Sequence, residues 1–227
     1  MAEFDLDDDE LLEEELALAK LDRTRPSEHQ RLGGANRGFS WLLIIGGFIG
    51  VLASIELVLA EIALIEDPSA SLSCDLNPFI GCSSSLLEWQ SHLLFGIPNA
   101  LIGVAIFAMV LGVGCAFLAG ARLARWFWRV MCAVVLAGLA FIAWFLGQSL
   151  TVFGTLCPWC MTSWAVVIVV GVQVIARAAQ AGHLPISQKL GRAIYRERWL
   201  IMIGIFVLII LAIVIGLWGT WRLYLGL

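Results

Sequence analysis

Charge is scarce in this 227-residue sequence: only 14% of its residues are charged, against 60% hydrophobic ones and a mean hydropathy of +0.91. A soluble domain of this length cannot hide so much apolar surface, so the shortage excludes one and points to the membrane. No strongly basic face is present, which argues against a nucleic-acid partner. The chain opens on Glu and Asp rather than on a short basic segment with an apolar core, so no cleavable signal peptide is expected. Even the net charge of -4 conceals a division. Eleven of the eighteen carboxylates precede residue 30, and the remainder of the chain is mildly basic.

Residues 1–38 read as an acidic then basic cytoplasmic tail, partly disordered, because charge blocks usually stay solvated. A short amphipathic helix over Asp9–Leu21 competes with like-charge repulsion there. Five stretches then reach the roughly 20 residues a helix needs to cross a ~30 Å hydrocarbon core. They are about Trp41–Ile65, Ile97–Leu118, Val130–Leu150, Leu156–Ala176 and Trp199–Gly219. Gly46, Gly47, Gly103, Gly112, Gly114, Gly138 and Gly171 suit close helix contacts in lipid. Trp41, Trp126, Trp128, Trp199, Trp218 and Trp221 sit near span ends, as an interfacial aromatic belt would place them.

Lysine and arginine are absent from the segments joining spans one to two and three to four. They cluster before span one, between spans two and three (Arg122, Arg125, Arg129), and between spans four and five. The positive-inside rule therefore puts the N-terminus in the cytoplasm, the two base-free segments outside, and the C-terminus outside. The expected fold is an all-α membrane protein. Its domains are a four-helix transmembrane part over 39–178 with an outer loop at 66–96, a basic cytoplasmic loop at 179–198, and a fifth span with a short tail over 199–227.

That topology sorts the six cysteines. Cys74 and Cys82 fall in the first outer segment and Cys157 and Cys160 at the outer mouth of span four, while Cys115 and Cys132 lie near the cytoplasm. Disulfides persist in the outer compartment, so the four outer thiols form the chemical set. The inner two read as small apolar packing residues. Cys157-Pro158-Trp159-Cys160 opens a helix, with Pro158 in the first turn where its missing N–H is no loss. Sulfurs at that position face unsatisfied N–H groups and the positive dipole end, which stabilises the attacking thiolate. A zinc site is disfavoured, since structural zinc wants four ligands and no second CxxC accompanies this one. Cys74 and Cys82, in a loop with turn signals at Asn77-Pro78 and Gly81, read either as a structural clip or as a shuttle pair. Four cysteines allow three pairings.

The order of a loop C-x7-C, then Phe95-Gly96-Ile97-Pro98-Asn99, then CxxC opening span four, resembles the vitamin K epoxide reductase family in its bacterial form, over about Gly47–Ile175. The resemblance implies a four-helix bundle around a lipid quinone of the menaquinone or ubiquinone type, in a bacterial cytoplasmic (inner) membrane, without a metal. It implies catalytic Cys157 and Cys160, the latter reacting with the quinone, and shuttle residues Cys74 and Cys82. Cys82 would exchange with Cys157, and Cys74 would meet a DsbA-like thioredoxin-fold partner outside the cytoplasm. Asn99 occupies the place of a quinone-binding Asn. Trp164 stands where vertebrate members carry a Tyr, and an indole N–H donates but does not accept. Bacterial relatives often carry a fused thioredoxin-like domain; here the partner is expected to be a separate protein.

Glu56 and Glu61 lie in the outer half of span one, where carboxylates are costly and usually face the bundle interior. His92 is a candidate proton relay or a solvated loop residue. Leu86–Leu94 reads as a short amphipathic lid helix or as a loop packed on the bundle. The competing function is a multi-pass transport or scaffold protein whose outer disulfides are structural.

Overall fold

The computed structural model describes residues 25–77 and 80–218. The expected helix at Asp9–Leu21, the turn residue Pro78 and the belt residue Trp221 lie outside these. Five long helices are apolar enough to cross a membrane: α1 (Arg37–Glu66), α2 (Asn99–Leu118), α3 (Arg125–Gln148), α4 (Pro158–Gln180) and α5 (Gln188–Gly216). No strand forms among the described residues. The protein is therefore an all-α membrane protein. Helices α1 and α4 pack together at its centre; α2 leans on α1, while α3 and α5 lean on α4.

Local chemistry sets the helix ends. Asn36 caps α1 by accepting the Phe39 N–H at 3.0 Å. Ser187 caps α5 by accepting the Leu190 N–H, so α5 begins at Gln188 rather than at the Trp199 expected for the fifth span. Much of the segment read as a basic loop at 179–198 is thus helix. Bases there hid the start, since hydropathy registers the span and not its polar extension. Helix α3 continues into one wide π turn, Ser149–Phe153, and stops on Gly154 in the left-handed region (φ 66°). That stop aims residues 155–157 across the top of the bundle.

The small residues do bring helices together. A Cβ on Gly47 would sit 2.6 Å from the Leu111 backbone N, and one on Gly114 2.9 Å from that of Ile44, which fixes the α1–α2 approach. On α4, a Cβ on Gly171 would meet Val135 at 2.6 Å. Gly112 differs, having open space around it. Likewise Trp41, Trp126, Trp199 and Trp218 are exposed, but Trp128 is fully buried, stacked on Phe117 and His183 and donating to the Gly33 carbonyl at 3.1 Å. It pins the segment before α1 onto the bundle instead of joining the belt. Cys132 packs in the core as expected, whereas Cys115 is exposed, because α2 buries only Phe107, Gly114 and Phe117.

Alternation of the helices places every described Lys and Arg at one end of the molecule and the four remaining cysteines at the other. Leu217, at the end of α5, packs with Ile142 and Phe145 of α3 and Trp164 of α4 on the cysteine side.

Candidate redox site

The loop between α1 and α2 folds over the cysteine end in short pieces. Asn77 and Ile80 close a tight turn through reciprocal backbone hydrogen bonds. Ile80 then forms a parallel bridge with Leu156, and the Gly81 N–H donates to the Leu156 carbonyl at 3.1 Å. Just past the bridge on each segment stand Cys82 and Cys157, so the bridge itself sets these two side by side. Ser84 and Thr155 hydroxyls share a hydrogen bond nearby. Asp75 holds the same corner from within: its Oδ1 accepts from the Cys82 N–H at 2.7 Å and the Ser83 N–H at 3.2 Å.

Cys74 and Cys82 are joined as a disulfide, and Cys157 and Cys160 are free thiols. The Cys82 and Cys157 sulfurs lie 3.1 Å apart. Cys82 is completely buried, and Leu57 and Leu64 of α1 pack around the sulfurs together with Leu86. Cys157 caps α4, its sulfur accepting the Cys160 N–H at 3.5 Å, with Pro158 in the first turn. This is the helix-mouth setting in which a thiolate is favoured. Cys160 sits one turn in and touches two clusters. On one side are the disulfide and its surroundings; on the other are Phe145, Leu146, Leu156 and Trp164.

Asn99, at the start of α2, is tied to the loop. Its Nδ2 donates to the Gln90 carbonyl at 2.7 Å and its Oδ1 accepts from the Leu93 N–H at 3.3 Å. A carboxamide has a second N–H, so one donor remains for a ligand. Trp164 is buried edge-on against Phe145, with ring centroids 6.2 Å apart. Near Asn99, the buried Gln90 Oε1 has no hydrogen-bond partner. An acceptor of that kind suits the hydroxyl of a reduced quinol rather than the carbonyl of a quinone. Apolar aromatics with a few convergent polar groups make a reasonable fit for a quinone ring. Among the described residues no three His, Cys, Asp or Glu side chains gather to hold a metal.

The two span-one carboxylates part company. Glu56 is exposed on α1, unlike the inward position expected. Glu61 is buried, and its Oε1 lies 2.8 Å from His92 Nε2. His92 Nδ1 faces the Glu88 carbonyl at 3.2 Å. Burial alone would lower the His92 pKa, but the Glu88 carbonyl and the Glu61 carboxylate outweigh it, and the net direction is upward. Residues 86–94 form no continuous lid helix; they pack on the bundle in short turns, as the alternative expected. A one-turn helix, Ser83–Leu86, and a 3-10 turn, Trp89–His92, turn Leu86, Gln90 and Ser91 inward and leave Leu87, Trp89 and Leu93 exposed. The turn touches three spans, through Glu61 of α1, Asn99 of α2 and the Trp89–Trp144 ring contact on α3.

Asp75 and Gln90 were not legible as site residues. Asp75 had a signal, since an Asp before a turn commonly accepts backbone N–H groups, but nothing in the sequence tied that habit to Cys82. For Gln90 there was none.

Four cysteines gathered at one end of a membrane-spanning helical bundle fit a membrane oxidoreductase. The chain belongs to the vitamin K epoxide reductase family, whose sequence model matches residues 41–175. No curated protein matches it closely enough to add a named relative. Membership favours an oxidoreductase over the transport or scaffold reading.

Proposed function

We propose that this protein is a quinone-dependent thiol oxidoreductase that reoxidises a separate DsbA-like thioredoxin-fold protein, supporting disulfide formation in exported proteins. The observation that carries the reading is the 3.1 Å separation of the Cys82 and Cys157 sulfurs, between a formed disulfide and a reduced CxxC. Thiol–disulfide exchange passes through a mixed disulfide, and these two sulfurs are placed to form one.

Atoms and electrons balance at each step. A partner dithiol reduces Cys74–Cys82: its first thiolate attacks Cys74, Cys82 leaves, and the partner's second thiol closes its own disulfide. Cys82 then attacks Cys157 of an oxidised Cys157–Cys160 pair, releasing Cys160, and Cys74 resolves the mixed disulfide by returning to Cys82. The loop is thereby oxidised again and the CxxC reduced, the arrangement seen here. A quinone, when bound, accepts the two electrons and two protons that the Cys157/Cys160 dithiol gives up as it closes to a disulfide. Asn99 and Trp164 are the donors proposed to hold its oxygens, and Cys160 is the thiol nearest the aromatic cluster that would enclose the ring.

We place the cysteine end outside the cytoplasm of a bacterial inner membrane. The base-free connections at that end and the concentration of Lys and Arg at the other support this orientation. Trapping tests the relay. In the Cys74→Ala/Cys160→Ala variant, neither resolving thiol remains, and mild oxidation should accumulate a Cys82–Cys157 disulfide detectable by peptide mass spectrometry. Failure of that bond to form while both thiols react freely with alkylating reagents would sink the relay.

A further inference from the structure

Among the described residues, the end of the bundle opposite the cysteines carries positive charge with little acid to balance it. All eleven described Lys and Arg residues lie there, beside only Glu28 and Glu197. Glu197 is already engaged with Arg196, at 2.8 Å. The imbalance is sharpest where α4 meets α5. Arg177 and Arg198 both lay their guanidinium groups over the ring of Tyr195, 5.7 and 4.0 Å from its centroid. Arg177 also covers Phe39 at 4.9 Å, and Arg198 covers Trp199 at 5.5 Å. The Nε of each is buried without a hydrogen-bond acceptor. Stacking holds the two planes in place, yet like charges this close repel, and an unpaired buried donor on a charged group is unfavourable. Arg125 and Arg129 lie by His183, and Arg129 donates its Nε–H to the His183 carbonyl at 3.0 Å.

A guanidinium fork matches a phosphate in shape as well as in charge. The height of the site in the membrane narrows the source. Trp199, half exposed and next to Arg198, and the exposed Trp41 and Trp126 mark the level at which aromatic side chains meet lipid headgroups. Basic pockets between spans at that level take anionic headgroups. We propose that Arg177 and Arg198, both at the Tyr195 ring where α4 meets α5, form a binding site for the phosphate of an anionic membrane lipid. The lipid neutralises the pair and ties the fifth span to the catalytic bundle. The site is independent of the redox chemistry, being at the other end of the molecule.

The test uses the full-length protein in detergent, with retained lipid counted by native mass spectrometry. Phosphatidylglycerol should be held in preference to phosphatidylcholine of the same chain length. The Arg177→Gln/Arg198→Gln variant should weaken that retention roughly tenfold or more. Arg198→Gln alone should weaken it in the same direction should the double variant not fold. Arg196→Gln, whose partner is Glu197, should leave it unchanged. Equal retention of both lipids, or undiminished retention by the variants, overturns the site. Displacement of the lipid by millimolar inorganic phosphate would assign the arginines to a free anion and overturn the lipid. Phosphatidylglycerol binding that emerges only when Asp7, Asp8 and Asp9 are replaced by Asn would assign them to the acidic N-terminal segment, with the same consequence.

Discussion

At the scale of single residues, contacts made across the fold decide what each thiol is placed to do. Cys157 was legible from Pro158 and the helix-mouth spacing, and it caps α4 as those imply. Its neighbour Cys82 was not legible as a neighbour, because the Ile80–Leu156 bridge joins segments far apart in sequence and no local pattern encodes that register. The pairing of Cys74 with Cys82, one of three open to four cysteines, was a matter of geometry for the same reason. The His92–Glu61 pair, too, spans a loop and a helix, and it leads to a prediction. His92 has its pKa raised above its ordinary 6.5. A group with a raised folded-state pKa contributes stability that is fully present below the unfolded value and is lost as pH rises through the folded one. The latch between the 89–92 turn and α1 should therefore loosen as pH climbs past the ordinary histidine range. Hydrogen-exchange protection of residues 85–94, corrected for intrinsic rates, should fall with pH in the wild type and be flat in His92→Gln. A flat profile in both proteins would remove the latch.

Whole elements were easier to read than their faces. All five spans follow from long apolar runs, yet helices that meet lipid are apolar all round, so periodicity could not say which side packs. Hence Glu56 and Cys115 were expected inward and are exposed, while Trp128 was expected at the interface and is buried. Glycines carried more of this information than hydropathy did. At Gly47 the α1–α2 contact is close enough that an added Cβ meets backbone, which cannot swing away. Gly47→Ala should destabilise the protein by about 1–3 kcal/mol, the usual range for overpacking, seen as a lower melting temperature in detergent. Gly112→Ala, in open space on the same helix pair, should have little effect. Equal losses from the two substitutions would mean that α1 and α2 are not packed as described.

For the molecule as a whole, one membrane bundle separates two kinds of chemistry by its thickness. Cys74, Cys82, Cys157 and Cys160 and the acids Glu66, Asp67, Asp75 and Glu88 collect at one end, and all described Lys and Arg collect at the other. That polarity was fully readable from the order of charges, as was membership of the vitamin K epoxide reductase family from three short motifs. The sequence was silent on the fragmented cap over the cysteine end and on the arginine pair around Tyr195, since both depend on which helices meet. The central claim is that electrons leave a dithiol through Cys82 and Cys157 and reach a quinone at Cys160. The most direct measurement is anaerobic quinone reduction, followed by absorbance, with purified protein and a reduced thioredoxin-fold dithiol as donor. Wild-type protein should turn over, and Cys160→Ala should lose at least about a hundredfold of that rate, on the scale expected when an essential nucleophile is removed. Turnover in Cys160→Ala equal to that of the wild type would contradict the account.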